Sequence, residues 1–122
     1  VLGSALSQQR RFDAAAQSFR AAVALAPQAA ELHFNLGAAL AGAGQHEAAV
    51  AGYRRALALR PELAVAHYNL GSALKALGRL DEAAASLRQA IAAQPGYAEA
   101  HGNLGTVLQA QGRLDEAVAC YR

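Results

Sequence analysis

Between Ala64 and Leu77, His67, Leu70 and Leu74 return at helical spacing on one side of the chain. That pattern predicts a helix with a single packing face. The following stretch, LGRLDEA, ends the pattern and starts a second one. Gly78 suits the left-handed residue that closes a helix, Asp81 the N-cap of the next, and Glu82 the positive end of its dipole. Gly112, Asp115 and Glu116 repeat this arrangement. Gly44 and Glu47 supply a poorer cap, which predicts a second helix that frays more readily. Pro61 and Pro95 stop the second helices, because proline lacks the amide proton and crowds the preceding turn.

The pattern has a fixed period. Pro27, Pro61 and Pro95 are each 34 residues apart, and so are Leu2, Leu36, Leu70 and Leu104, every one followed by glycine. Ala15, Ala49, Ala83 and Ala117 keep the same step, as do Phe19, Tyr53, Leu87 and Tyr121. The predicted unit is two antiparallel helices and a short link, in repeats 30–63 and 64–97 flanked by partial repeats 1–29 and 98–122. Ala49 and Ala56, like Ala83 and Ala90, lie seven apart on one helix face, opposite Gly37 and Gly71. Such small residues let helix axes approach toward the short end of roughly 8–10 Å.

These columns resemble the tetratricopeptide repeat family, a helix-turn-helix unit of 34 residues. The family's usual Trp column is His here, and its usual Tyr column is Leu40, Leu74 and Leu108. The resemblance spans the whole chain. It implies an all-α solenoid of antiparallel helix pairs in a right-handed superhelix, with the first helix of each pair on the concave side. One pair cannot bury its apolar face alone, so two full repeats between partial ones read as a piece of a longer solenoid.

The phrase HFNLGAAL at His33 returns as HYNLGSAL at His67 and HGNLGTVL at His101. At about 100° per residue, Asn35 shares a stripe with Glu31, Ala38 and Gly42, away from His33, Leu36 and Leu40. The equivalent stripes are Val65, Asn69, Ser72 and Ala76, then Glu99, Asn103, Thr106 and Ala110. On the concave side these stripes would floor a groove with Lys75 as its lone inner cation, and Phe34 and Tyr68 would either line its wall or be partly buried against the neighbouring repeat. An asparagine amide offers both a donor and an acceptor, matching the backbone of an extended peptide. With first helices about 10 Å apart, one asparagine would meet a strand-like ligand every roughly three residues. The alternative is a hydrogen bond to the next repeat, since asparagine inside a helix is less favourable than alanine by roughly 0.5 kcal/mol.

The phrases HxNLGxxL and GRLDEA are most similar to repeats of the O-linked N-acetylglucosamine transferase and its bacterial relatives. That resemblance implies an inner asparagine ladder holding protein substrates, and it nominates Asn35, Asn69 and Asn103. Val1 interrupts the ladder in the first partial repeat. Another use of the fold, clamping the C-terminal carboxylate of chaperone tails, needs inner lysines and arginines beside the asparagines. Glu31, Val65 and Glu99 stand there instead, so that clamp is rejected.

Composition narrows the function further. The formal charge is +2 and Lys75 is the sole lysine, which gives nucleic acid no clustered basic patch. Arg20, Arg54, Arg88 and Arg122 repeat on the second helices and Arg11, Arg79 and Arg113 near the turns, diluted by Asp81, Glu82, Asp115 and Glu116 into a solvated face. Cys120 is the single cysteine, so no internal disulfide forms and a reducing, cytoplasmic setting is expected. No apolar run approaches the roughly 18–20 residues of a membrane span. His33, His67 and His101 lack the i, i+4 pairing of metal ligands and are expected to be packed and hydrogen-bonded. His46, at a turn, is expected to be solvated. No nucleophile, base and orienting acid recur at plausible spacing, and no cofactor or metal is implied.

The expected function is a non-catalytic scaffold binding an extended protein segment. The alternative is the substrate-recruiting arm of a protein O-glycosyltransferase. End-to-end self-association is a third expectation, which a concentration-independent monomer mass would remove.

Overall fold

A computed structural model describes residues 2–112, with side chains from residue 8 onward. Asp115, Glu116, Ala117, Cys120, Tyr121 and the arginines at 113 and 122 lie outside the described residues. Among those described, all regular structure is helical: α1 Leu2–Leu25, α2 Ala30–Gly42, α3 His46–Leu59, α4 Ala64–Ala76, α5 Leu80–Ala93 and α6 Ala98–Ala110. The chain divides into two compact units, Val1–Pro61 and Glu62–Arg122.

In the first unit, α2 and α3 form an antiparallel pair, and α1 packs against α2. Ala49 and Ala56 of α3 are fully buried. The crossing is tight because it is made glycine to glycine: a Cβ on Gly52 would lie 3.1 Å from the Cα of Gly37. A Cβ on Gly37 would lie 2.9 Å from the Tyr53 ring, so the absent side chain is the seat of that ring.

The second unit repeats the plan with different residues. α4 and α5 pair, and α6 packs on α5 and touches α4. Ala83, Leu87 and Ala90 are fully buried on α5. Leu87 fills the seat that Tyr53 fills in the first unit, and a Cβ on Gly71 would come within 2.8 Å of its Cγ. The spaced alanines and facing glycines therefore set the close helix approach expected of them.

The turns follow from single glycines. Gly44 and Gly78 have φ of 82° and 76°. Around Gly78, the Arg79 N–H reaches the Leu74 carbonyl at 2.9 Å and the Gly78 N–H reaches that of Lys75 at 2.9 Å. This pair of bonds satisfies carbonyls the helix end would leave open. Gly78→Ala is expected to cost about 1 kcal/mol, because a Cβ is disfavoured at positive φ. Urea denaturation followed by circular dichroism reads this as a lowered midpoint.

Three expectations are corrected. The first partial repeat has no helix-turn-helix: α1 runs unbroken through Arg11, which therefore lies in mid-helix and not near a turn. The position matching Gly44 and Gly78 is Arg10, and a left-handed arginine costs roughly 1–2 kcal/mol that a continuing helix avoids. Gln9 Nε2 donates to the Ala43 carbonyl at 2.8 Å, and the Phe12 ring covers Gly42, which ties α1 to the end of α2.

Asp81 is not an N-cap. The 6→1 bond at Gly78 leads straight into helix, so α5 starts at Leu80 with Arg79 as its N-cap and no side-chain capping bond. Asp81 and Glu82 sit in the first turn, where their charge favours the helix dipole. Asp81 also accepts a hydrogen bond from Gln111. The contrast with the Gly44–Glu47 turn disappears, because α3 likewise starts without a side-chain cap.

His46 is not simply solvated. It is the first residue of α3, and its Nδ1 is buried with no hydrogen-bond partner among the described residues. Belonging to the first helical turn, and not to a loop, takes that ring nitrogen out of water.

Candidate functional site

The amides singled out in the repeated phrase sit on α2, α4 and α6, and each is half-buried. Their bonding differs. In the second unit, Asn103 of α6 donates from Nδ2 to Ser72 Oγ of α4 at 2.9 Å. Its Oδ1 accepts from Lys75 Nζ, also on α4, at 3.2 Å. Lysine can only donate, so the Lys75 contact fixes which end of the amide is oxygen. Asn103 thus binds repeat to repeat, as the structural alternative required.

Asn35 and Asn69 do not share this arrangement. Neither makes a side-chain hydrogen bond among the described residues. The residues 34 positions before Ser72 and Lys75 are Ala38 and Ala41, whose side chains carry no polar atom. The Ser72–Lys75–Asn103 cluster therefore has no counterpart one repeat earlier.

In the first unit, Asn35 lines an open cleft of about 300 Å³ together with Ala29, Ala30, Glu31, Leu32 and Arg60. Arg60 Nη1 lies 3.4 Å from Glu31 Oε1, both side chains well exposed. An exposed pair of this kind contributes little to stability. Its charges, together with the Asn35 amide, give the cleft a polar lining beside the apolar Ala29, Ala30 and Leu32.

The aromatic positions are packed within their own units. Phe34 meets Tyr53 with ring centroids 5.7 Å apart and planes tilted by 48°. Tyr68 meets Tyr97 at 5.1 Å and 31°. Both Phe34 and Tyr68 keep part of their surface in solvent. Burial, then the neighbouring Tyr68 and Glu99, raises the Tyr97 hydroxyl above its ordinary pKa, so it stays a neutral donor. Gly102 replaces the aromatic of the earlier repeats and leaves open space. Thr106 is exposed and donates to the Gly102 carbonyl at 3.1 Å, a bond back along its own helix.

His33 is 8% exposed, and its Nε2 lies 2.9 Å from the Pro27 carbonyl oxygen. His101 makes the same contact with Pro95 at 2.9 Å. These two rings, expected to be packed and hydrogen-bonded, pin the links at Pro27 and Pro95 to the helices that follow them. Among the described residues no three His, Cys, Asp or Glu side chains are grouped to hold a metal ion. No helix among them is long and apolar enough to cross a membrane. Arg20, Arg54 and Arg88 are exposed, and Arg79 pairs with Glu82 at 2.6 Å within one helical turn.

The three sequence-nominated asparagines thus separate into one bonded and two open amides. The residue types were legible in the repeated phrase, but the joining of Ser72 and Lys75 through Asn103 was not.

A family model described as TPR repeat matches residues 3–44 and 42–78, and one described as Tetratricopeptide repeat matches 68–122. Among solved structures, a crystal structure of MamA is 30% identical with a TM-score of 0.85, covering 87% of this chain and 62% of that one. A second, of MamA protein, is 30% identical with a TM-score of 0.87 over 90% of this chain and 60% of that one. The structure titled MamA MSR-1 C2, 23% identical with a TM-score of 0.82, shares the fold. The chain spans about three fifths of the length of the MamA chains it matches. No curated protein matches it.

Proposed function

The chain belongs to the tetratricopeptide repeat family, and from that premise we propose that it is a non-catalytic protein-interaction scaffold. Its ligand is an extended protein segment, held on the asparagine-bearing helix faces of each unit. The observation that supports this most directly is the open state of two amides. Asn35 and Asn69 keep unfavourable mid-helix positions without an internal hydrogen bond among the described residues. A repeat-to-repeat bond accounts for Asn103 and not for them. A ligand backbone offers the donor and acceptor both amides lack, and the polar cleft beside Asn35 gives one of them room for it.

The test is binding of an unbiased extended-peptide library to the chain and to its Asn35→Ala, Asn69→Ala, Asn103→Ala variant, both checked for helicity. Each neutral hydrogen bond contributes about 0.5–1.5 kcal/mol, so losing two or more should weaken binding about tenfold across unrelated peptides. Unchanged binding would remove the asparagines from the recognition surface.

The repeated phrases also support a second reading for the parent protein, the substrate-recruiting arm of a protein O-glycosyltransferase. The same asparagines serve both readings. Sequence encoded beyond Arg122 separates them: a glycosyltransferase domain favours the second, and further repeats alone favour the first.

A further inference from the structure

We infer that Ser72 and Lys75 of α4, with Asn103 of α6, form a carboxylate subsite that takes an acidic side chain of the bound segment. This rests on the peptide-binding reading and makes it specific at one point.

Within the cluster, Asn103 Oδ1 is engaged by Lys75 Nζ at 3.2 Å, and Ser72 Oγ accepts from Asn103 Nδ2 at 2.9 Å. The remaining hydrogen-bonding capacity is therefore mostly donor: two N–H of the Lys75 ammonium, the Ser72 hydroxyl proton and the second N–H of Asn103. Donors converging from two helices recognise an acceptor, and the positive charge among them selects an anionic one.

That charge has no ionic partner among the described residues. Lys75 forms no salt bridge among the described residues, and its polar contact is a neutral amide. Glu99, four residues before Asn103 on α6, is exposed and makes no bond to Lys75. Because Asn103 holds the lysine, the ammonium is positioned before a ligand arrives and loses less freedom on binding. Charge-assisted hydrogen bonds are roughly twice as strong as neutral ones. A carboxylate thus gains more here than a backbone carbonyl does. With Ala38 and Ala41 at the matching positions one repeat earlier, the preference is confined to one place.

The test uses the 122-residue chain and short fluorescein-labelled peptide pools of Ala, Ser, Thr and Val with one central Glu, Gln or Lys. Anisotropy should show the Glu pool binding about tenfold tighter than the Gln pool, with a preference that shrinks as salt is raised. Lys75→Met should bind the Glu and Gln pools alike at the wild-type Gln affinity, and Lys75→Glu should turn the preference toward the Lys pool. A second readout needs no variant. Lys75 is the only lysine, so selectively 13C-labelled lysine gives one side-chain signal, which should shift with the Glu pool and stay in place with the Gln pool. Equal Glu and Gln binding by the wild type, or a Glu preference that survives in Lys75→Met, overturns the carboxylate subsite while peptide binding stands. Failure of every pool to bind overturns both.

Discussion

Tyr53→Ala should lower the stability of the first unit by about 3–5 kcal/mol, the range for removing a buried aromatic side chain. Tyr53 is 2% exposed and its ring lies over Gly37, where the missing Cβ makes room for it. The substitution empties that seat and takes away the ring that Phe34 packs against. An aromatic pair adds roughly 0.5–1.5 kcal/mol beyond the area it buries. Neighbouring backbone cannot close the void without bringing α2 and α3 nearer than their glycine contact already allows. Leu87→Ala is the matching change in the second unit, at about 2–5 kcal/mol, since Leu87 is fully buried over Gly71. Urea denaturation measures both. Hydrogen exchange should locate the first loss mainly in α2 and α3 and the second in α4 and α5, because stability in such arrays is a sum of repeat and nearest-neighbour terms. A loss below about 1 kcal/mol in either variant would mean that these seats do not hold the pairs together.

The second large effect is overpacking. Ala83→Leu should cost about 1–3 kcal/mol, because Ala83 is fully buried where α5 crosses α4 and a larger group there must displace packed neighbours. Gly71→Ala tests the same crossing from the other helix. Its new methyl would stand 2.8 Å from Leu87 Cγ and 3.3 Å from the Ala83 carbonyl oxygen, so something must move. The Leu87 side chain is the movable partner and the carbonyl is the fixed one. Gly71→Ala should therefore cost less in a Leu87→Ala background than alone, with a coupling of about 0.5–3 kcal/mol. Strict additivity would show that Leu87 does not carry the clash.

Much of this protein is legible in its residues alone. The helical faces of α2, α4 and α6, the glycine turns at 44 and 78, and the proline stops all rest on local backbone preferences, which neighbouring residues state directly. The unbroken α1 is written locally as well, in the arginine at position 10. The Leu2–Gly3 column masks it, because a periodic pattern invites completion of a repeat that lacks its turn. The start of α5 is misplaced toward Asp81 in the sequence, since a capping residue near a turn reads as a cap. Only the bond from the Ala83 N–H to the Arg79 carbonyl shows that the helix has already begun.

What the sequence alone determined is the repeating unit: a 34-residue period, paired helices, small residues where the helices cross, and an asparagine in each full phrase. What only the tertiary structure decided is how those asparagines are used. Asn103 is joined to Ser72 and Lys75, residues 31 and 28 positions away, while Asn35 and Asn69 have no side-chain hydrogen bond among the described residues. The reason is physical. A side-chain hydrogen bond forms within a few tenths of an ångström of its best length, about 2.9 Å. Whether two helices bring their polar atoms to that distance depends on the packing of every residue between them, which a repeated phrase does not record.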